Sequence, residues 1–326
     1  MPFVYAFAAI LFLFIIALSA AVVVFFNIAL VRRPYVDHTD DPHPEKYGER
    51  GRFFAAINAG EKWFLSNYTE IVTTVAHDGL KLSAYRFDVP GSDRLIICFH
   101  GYRSAAFHDF GVVSKQYTSM GYNLLAVDQR SHGNSDGKYI GFGIPESRDV
   151  LTWIEYARRN YGDGIKIWLD GISMGGSTVM FAAGSELPDN VRGIIADCGF
   201  TSPKEIMTHV LRRDYHLPPF PLINLISPLS KLIAGYAFDE ISSLDTLRRN
   251  KIPLLLLHGS DDTFVPTEMT YRNREASAAP TTMLIVEGAG HGLSYLVDTE
   301  RCIEVLEKFF ADTADDTECG VNISIK

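Results

Sequence analysis

The segment Gly171-Ile172-Ser173-Met174-Gly175 constrains the fold more than any other part of this chain. The short apolar run 165–170 precedes it, and residues 176–183 are typical of the start of a helix. Glycines on both sides of the serine permit a sharp turn in which larger side chains would collide. A G-x-S-x-G between a strand and a helix is the pattern of a nucleophile elbow, which lifts the serine hydroxyl to a helix N-terminus. The pentapeptide alone is a weak pattern, so its meaning depends on what surrounds Ser173.

Short apolar runs alternate with stretches of helical character from residue 68 onwards. Most runs are continuous, as expected for strands that are buried on both faces of a parallel sheet. The alternation predicts an α/β fold with an open, mostly parallel central sheet and helices on both faces. The predicted strands are 71–75, 82–87, 93–99, 122–127, 165–169, 191–196, 252–257 and 282–286, and the predicted helices are about 105–120, 145–161, 173–183, 265–276 and 293–311.

A longer insertion, about residues 200–250, separates the predicted strands that end near Ala196 and Leu257. It contains the apolar, proline-rich run from Leu217 to Ile226. Beside a site at the edge of the sheet, such a segment predicts a small helical cap. The alternative is a pair of ordinary surface helices packed on the core.

The N-terminus is apolar over an unusual length. Between Pro2 and Val31 the chain has no charged side chain. About 20 apolar residues cross a bilayer, so this stretch predicts a retained, tilted transmembrane helix. The alternative is a cleaved signal peptide, with a cleavage site near Ser19-Ala20-Ala21. The missing basic segment before the run, and its continuation past that site, favour the anchor.

Basic residues near this span lie on its C-terminal side. By the positive-inside rule they predict that the rest of the chain is cytoplasmic, attached to the cell membrane by a single pass. We therefore expect an anchor at 1–33, a linker and an amphipathic helix at 34–67, the main domain at 68–312 and a C-terminal tail at 313–326. The basic residues are Arg32, Arg33, Lys46, Arg50 and Arg52.

Composition argues against several classes of partner. The formal net charge is -9 and no long basic run occurs, so nucleic acid is an unfavourable partner. His38 and His43 lie near aspartates in the polar linker, where no scaffold would hold them around a metal. Neither a metal nor an organic cofactor is expected. The four cysteines have no metal-ligand spacing and favour a reducing compartment: Cys98, Cys198, Cys302 and Cys319.

A serine hydroxyl needs a neighbouring base before it can act as a nucleophile. His291 lies in a glycine-rich loop, residues 288–292, after the last predicted strand, where ligands of open α/β sheets bind. An acid should in turn hold the imidazole. Asp261 and Asp262 follow the preceding strand, and Asp197 follows the strand before that. The residue pattern does not choose among these three aspartates.

An acyl-transfer site also needs two backbone amides that stabilise an oxyanion. One is expected from Met174, directly after the serine, and the other from the loop that follows the strand ending at Phe99. We assign the second to the Tyr102 amide, and we expect His100 to orient this loop.

Taken together, these segments resemble the α/β-hydrolase superfamily of serine hydrolases. The likeness is nearest to bacterial membrane-anchored α/β hydrolases that are similar to monoacylglycerol lipases and serine aminopeptidase-like hydrolases. It spans about residues 68–311 in the family order. The segments that carry it are 100–102, 128–137, 171–176, 258–266 and 290–292.

The resemblance implies further assignments. It selects Asp262 as the acid, four residues after the histidine of a His-Gly-x-x-Asp motif, and it implies a cap between the sixth and seventh strands. It implies that His132 stabilises a structural loop, in which Ser131 departs from the glycine of many relatives. The implied activity is hydrolysis of carboxylic esters through Ser173, Asp262 and His291. Because an anchor and an apolar cap would suit acyl chains of some length, we expect lipid-like esters.

The sequence leaves two other functions open. Some relatives are aminopeptidases or amidases, which need an acidic group for the substrate amine. The cap offers candidate acids for that role. A non-enzymatic membrane scaffold is the other alternative, and the complete set of Ser, Asp and His argues against it. The candidate acids are Asp214, Asp239, Glu240 and Asp245.

Overall fold

An eight-stranded sheet organises the part of the chain that is described, residues 1–314 of a computed structural model. Residues 315–326, with Cys319 and nearly all of the expected tail, lie outside the described residues. The strand order is β1-β2-β4-β3-β5-β6-β7-β8. The first hairpin and the β2–β4 pair are antiparallel, and β3 to β8 run parallel. The strands are β1 (Glu70–Val75), β2 (Lys81–Phe87), β3 (Arg94–Phe99), β4 (Asn123–Asp128), β5 (Lys166–Ile172), β6 (Val191–Asp197), β7 (Leu254–Gly259) and β8 (Thr281–Val286).

Helices cover both faces of this sheet, so the predicted α/β fold is confirmed. The expected C-terminal helix is interrupted at Asp298, whose side chain caps the second of two helices by accepting from the Arg301 amide. The helices are α1 (Pro2–Leu30), α2 (Phe54–Asn67), α3 (Ala106–Asp109), α4 (Gly111–Ser119), α5 (Ile144–Tyr161), α6 (Met174–Ala182), α7 (Pro203–Asp214), α8 (Leu222–Ala234), α9 (Ser243–Leu247), α10 (Glu268–Ala276), α11 (Ser294–Val297) and α12 (Thr299–Thr313).

Two apolar layers hold the helices on the sheet. On one face, α5, α6 and α9 contribute buried side chains such as Trp153 and Val179. On the other face, α2, α4 and α12 contribute Phe64, Tyr117 and Phe310. The central strands are buried on both sides, which explains why their sequences are continuous apolar runs.

The insertion between β6 and β7 carries α7, α8 and α9. The Ser202 hydroxyl caps α7 by accepting from the Glu205 amide at 3.2 Å. One side of α8 packs inwards through Leu222, Ile223 and Ile226. Apolar side chains of α7 and α8 share a buried cluster with Met174, next to Ser173, whereas α9 packs against α6 on the face of the sheet.

Within residues 1–314, α1 is the only helix long and apolar enough to cross a membrane, a test that an N-terminal signal sequence also passes. Its first part is exposed, but its C-terminal third packs onto the domain through Val22, Phe26 and Leu30. α1 lies against α8. The end of α1 is therefore part of the folded domain.

The segment that was expected to be a linker, residues 34–52, also differs from a free tether. It forms two short 3₁₀ turns, Pro44–Tyr47 and Arg50–Phe53, and lies against the domain. The Tyr35 hydroxyl is 2.7 Å from His108 Nδ1, and the Gly290 amide donates to Glu49 at 2.9 Å. These contacts bring the segment close to the carboxyl ends of the parallel strands, where Ser173 follows β5.

Candidate active site

Ser173 lies at the turn between β5 and α6 with a φ of 57°, in the left-handed region that non-glycine residues rarely adopt. Neighbouring glycines make this turn sterically feasible. A Cβ on Gly175 would lie 1.8 Å from the Phe99 carbonyl oxygen, and one on Gly171 would lie 2.2 Å from the Gly175 oxygen. The backbone is thus strained in the manner expected of an elbow.

His291 bridges Ser173 and Asp262. Its Nε2 is 2.9 Å from Ser173 Oγ, and its Nδ1 is 2.7 Å from Asp262 Oδ2. The loop after β8 supplies the histidine and the loop after β7 supplies the aspartate. With Nδ1 donating to the carboxylate, Nε2 is free to accept the serine proton. The three residues that the sequence singled out therefore form one hydrogen-bonded chain.

Asp262 is held by four donors. Its Oδ1 accepts from the Phe264 and Val265 amides at 2.8 and 2.9 Å, and its Oδ2 accepts from His258 Nε2 at 3.0 Å as well as from His291. Burial disfavours the charged carboxylate, but the hydrogen bonds from the two histidines outweigh it and lower the pKa of Asp262. The carboxylate is therefore ionised at neutral pH.

His258 is the part of this arrangement that the sequence analysis did not assign. It is fully buried, and its Nδ1 is 2.6 Å from Thr270 Oγ1 on α10. With the threonine hydroxyl donating to Nδ1, Nε2 carries the proton that Asp262 accepts. The sequence feature that could have identified it is the His-Gly-x-x-Asp motif, in which His258 comes four residues before the acid.

The other two candidate acids have different hydrogen-bond partners. Asp261 is exposed and accepts from its neighbour Ser260 at 2.8 Å. Asp197 is buried and accepts from Ser294 Oγ at 3.3 Å, and burial raises the pKa of its carboxyl. Only Asp262, of the three, is hydrogen-bonded to the imidazole within the described residues.

The loop after β3 lies directly against the elbow. A Cβ on Gly101 would be 3.4 Å from the Cβ of Ser173. The next amide, that of Tyr102, donates to no acceptor within residues 1–314. Met174 is the first residue of α6, so its amide has no carbonyl partner inside the helix. Both amides that the sequence singled out are thus next to the serine and available to an anion.

Asp109, which the sequence analysis also did not assign, fixes this loop from α3. Its Oδ2 accepts from the Gly101 amide at 2.7 Å and its Oδ1 from Ser104 Oγ at 2.6 Å. Burial opposes its charge, but His108 and Arg50 outweigh burial and lower the pKa of this carboxyl. A fixed negative charge therefore holds the backbone on the N-terminal side of Tyr102.

The end of α1 holds the same loop from the other side. The Tyr102 hydroxyl donates to the Ala29 carbonyl at 2.8 Å, and the Arg103 guanidinium donates to the carbonyls of Ile28 and, at 3.2 Å, Val31. The carbonyls of Ile28 and Ala29 are among the last of the helix, which have no partner within it, and Val31 directly follows the helix. The loop thus caps α1 while α1 supports the loop.

His100 and His132 act as structural residues in this region. His132 Nε2 accepts from the Arg103 amide at 3.0 Å, and burial lowers the pKa of its ring well below the usual value. His100 Nε2 accepts from the Gln129 amide at 3.1 Å. Neither ring is hydrogen-bonded to Ser173 among the described residues.

The donor atoms of Cys198, Asp262 and His291 lie within 4.8 Å of one another, a spacing that could in principle suit a metal ion. The donor set does not favour one. Asp262 is already saturated by N–H donors, and burial raises the pKa of the Cys198 thiol well above its usual value. A neutral thiol and an occupied carboxylate are poor metal ligands.

A cavity of about 510 Å³ opens at Ser173 and His291. Apolar side chains such as Phe110, Val113 and Leu257 line its inner part, and residues 33–36 and the Tyr47–Phe54 region form its outer wall. Asp170 lies at the inner end, where it accepts from the Tyr117 hydroxyl at 2.7 Å, and burial raises the pKa of this carboxyl to about 7. The cavity is suited to a mostly apolar group.

Known proteins resemble this chain over most of its length. The model of the family described as "prolyl oligopeptidase family" matches residues 110–317, a range that contains Ser173, Asp262 and His291. The uncharacterized protein YqkD of Bacillus subtilis is 29% identical over 244 residues, which cover 72% of this chain and 79% of that protein.

Two further similarities concern proteins with named activities. The lysophosphatidylserine lipase ABHD12 of Macaca fascicularis is 26% identical over 200 residues, which cover 60% of this chain and 48% of that protein. The structure of the Pyrococcus furiosus esterase Pf2001 matches with a TM-score of 0.63 at 27% identity, covering 77% of this chain and 95% of that one.

Proposed function

Because this chain belongs to the prolyl oligopeptidase family of α/β hydrolases, we propose that it is a serine hydrolase that cleaves carboxylic esters. The observation that carries the proposal is the hydrogen-bonded chain from Ser173 through His291 to Asp262. The esterase and lipase relatives support a hydrolase of the esterase or lipase type.

In the proposed reaction Ser173 Oγ attacks the ester carbonyl while His291 Nε2 accepts its proton. Asp262 holds the imidazole in the required tautomer and stabilises the imidazolium. His291 then protonates the leaving alcohol, and an acyl group remains on Ser173. A water molecule, deprotonated by His291, attacks this acyl-enzyme and releases the acid.

The negative charge on the carbonyl oxygen would be stabilised by the amides of Tyr102 and Met174. Their position beside Ser173 supports this role, because donors aimed at the developing oxyanion stabilise the transition state more than the substrate. Removing one such donor typically costs about 10²–10³ in kcat. The mechanism requires neither a metal nor an organic cofactor.

A lipid-like acyl ester is the substrate class that the cavity supports best. Its inner lining is mostly apolar, and one relative carries the name lysophosphatidylserine lipase. We further propose that α1 is a single-pass anchor in the cell membrane, with the catalytic domain on the cytoplasmic side because the basic residues follow the span. This would keep the enzyme next to such substrates.

A peptidase is the second candidate, and the name of the family favours it. The four cap acids argue against it. Asp214, Asp239, Glu240 and Asp245 each lie within 4.0 Å of a basic side chain, and none of them lines the cavity. The acids that do line it, Asp109 and Asp170, are engaged in hydrogen bonds. A substrate amine would therefore find no free carboxylate there among the described residues.

The test uses the full-length protein in detergent. We expect a fluorophosphonate probe to label the wild type and the Ser185→Ala control, in which an exposed serine just past α6 is changed, but not Ser173→Ala. We expect turnover of p-nitrophenyl esters to rise from acetyl to longer acyl chains. A sharp preference for acetyl would contradict the lipid proposal.

Two other results would replace the proposed function. Faster turnover of aminoacyl-naphthylamides than of any ester would identify a peptidase. Absence of both labelling and turnover in the folded wild type would favour the membrane scaffold.

A further inference from the structure

The cap exposes a group of large apolar side chains on α8 and on the segment that leads into it. We call this group the apolar cap face. Phe220 is 73% exposed and Leu232 is 83% exposed. Leu225 and Leu232 are seven residues apart and therefore lie on the same side of the helix. The members of the apolar cap face are Tyr215, Leu217, Phe220, Leu225, Leu232 and Ile233.

Folding of the cap does not require this exposure. The part of α8 that holds Leu222, Ile223 and Ile226 already packs inwards. Apolar residues scattered singly on a surface are normal, but several on one helix and on the segment that leads into it indicate an interaction site. The apolar cap face is therefore available for a partner.

The position of α1 identifies that partner. Its residues up to Ala20 are exposed except for the partly buried Leu18, and the first fully buried residue is Val22. The nineteen helical residues from Pro2 to Ala20 rise by about 29 Å, close to the thickness of the hydrocarbon core. A bilayer that covers the free part of α1 therefore ends where α1 meets the domain.

The cap lies at this same level. α1 packs against α8, and the rings of Phe25 and Tyr215 meet edge-on at 4.8 Å. Tyr215 itself belongs to the apolar cap face. Two arginines near this contact, Arg33 just after α1 and Arg212 in the last turn of α7, suit anionic headgroups.

We propose that the apolar cap face docks into the surface of the bilayer that α1 spans, as a second membrane contact of the domain. This inference rests on the proposed role of α1 as an anchor. The docked cap would hold the domain in one orientation. Since Arg33, Pro34 and Tyr35 line the cavity, its mouth would open next to the headgroups, and an acyl ester could enter from the membrane.

The test places one environment-sensitive fluorophore at a time on the full-length protein. The variants Phe220→Cys and Leu232→Cys carry the label in a Cys319→Ser background, because the other three cysteines are buried. Phe12→Cys, 64% exposed in α1, reports the span. Gly164→Cys is the matched control in water, since a Cβ there meets no atom within 4 Å, and it lies just before β5. The protein is reconstituted in vesicles of phosphatidylcholine and phosphatidylglycerol with doxyl-labelled phosphatidylcholine.

We expect the nitroxide lipid to quench labels at 12, 220 and 232 roughly threefold more than the label at 164, because only groups at the level of the acyl chains meet it. Quenching at 12 with none at 220 and 232 would overturn the docking proposal and leave the anchor intact. No quenching at any position would overturn both. Excimer formation between copies carrying pyrene at residue 232, without lipid quenching, would assign the face to a second copy and also overturn the proposal.

Discussion

At the scale of single residues, Asp261 and Asp262 are neighbours in the chain but have different surroundings and therefore different roles. Both side chains follow β7, but only Asp262 points into the buried space between two histidines. Its four donors leave it ionised and fixed, as the acid partner of an imidazole must be. The neighbouring Asp261 meets solvent and Ser260.

This contrast gives a matched pair of substitutions. Asp262→Asn should lower kcat for p-nitrophenyl esters by about 10³–10⁴-fold, because a neutral amide no longer stabilises the imidazolium and favours the wrong tautomer. Asp261→Asn should change kcat by less than about twofold, since surface substitutions away from special features have small effects. Equal losses in the two variants would contradict the assigned acid.

Asp170 gives a pH prediction. The pKa of this carboxyl is raised from 3.8 to about 7 by burial, so between these values the folded protein keeps a proton that the unfolded chain has lost. Stability attributable to Asp170 is therefore full below about pH 4 and falls as the pH rises towards 7. In the Asp170→Asn variant this loss of stability is absent, and the amide oxygen can still accept a hydrogen bond from the Tyr117 hydroxyl.

The measurement is the difference in Tm between Asp170→Asn and the wild type in detergent from pH 4 to pH 8. We expect the Tm of the variant, relative to that of the wild type, to rise steadily up to pH 7. The corresponding gain in the free energy of unfolding is at most about 4 kcal/mol, which is the energy of a shift of three pKa units. A Tm difference that stays constant across this range would show that Asp170 has the same pKa in the folded and the unfolded protein, which would contradict the prediction.

At the scale of structural elements, the loop after β3 is held in place by contacts with three other elements. α3 contributes Asp109, α1 contributes its last carbonyls, and the loop after β4 contributes His132. The loop and the proposed donor Tyr102 could be predicted from motifs that are local in the chain. The contacts of Asp109 and of the end of α1 could not, since they join residues that no pattern or periodicity connects.

The hold of α3 on this loop is testable. Asp109→Asn replaces an acceptor of two hydrogen bonds with a neutral amide, so the Gly101–Tyr102 backbone should move. We expect kcat to fall by about 10–100-fold with little change in KM, since a displaced donor acts on the transition state. Asp163→Asn, at an exposed ion pair, is the control.

A loss of folding would lower Tm and the fraction of enzyme labelled by the fluorophosphonate together. A positioning role would instead leave Tm near that of the wild type and slow the labelling rate. A rise in KM with kcat unchanged would contradict the proposed role of Asp109.

At the scale of the whole molecule, the sequence predicted the sheet, its helices and the superfamily, which the comparisons confirm. Buried parallel strands leave a strong signal because both faces must be apolar. The segment 34–52 was expected to be a tether, because its many Pro, Asp and His residues resemble a solvated linker. Its contacts with His108 and Gly290 depend on the finished fold.

The docking of the whole domain predicts a difference between substrates. The double variant Phe220→Glu with Leu232→Glu should lower hydrolysis of a long-chain ester embedded in vesicles by about tenfold, because charges oppose burial of the cap in the interface. Hydrolysis of water-soluble p-nitrophenyl acetate should not change. Ile71→Glu, at a site 44% exposed on β1, is the control for added charge. Equal losses on both substrates would point to damage of the site.

With α1 as the proposed anchor, the hydrogen bonds from Tyr102 and Arg103 to the last carbonyls of α1 would connect the loop beside Ser173 mechanically to the membrane. A helix whose apolar length exceeds the local hydrocarbon thickness tilts, and the tilt changes as the bilayer becomes thicker or thinner. Such a movement would be transmitted through a few ångströms to the amide beside Ser173. Catalytic rate would then report bilayer thickness, so that the acyl-chain length of the host lipids acts on the enzyme even when those lipids are not its substrates.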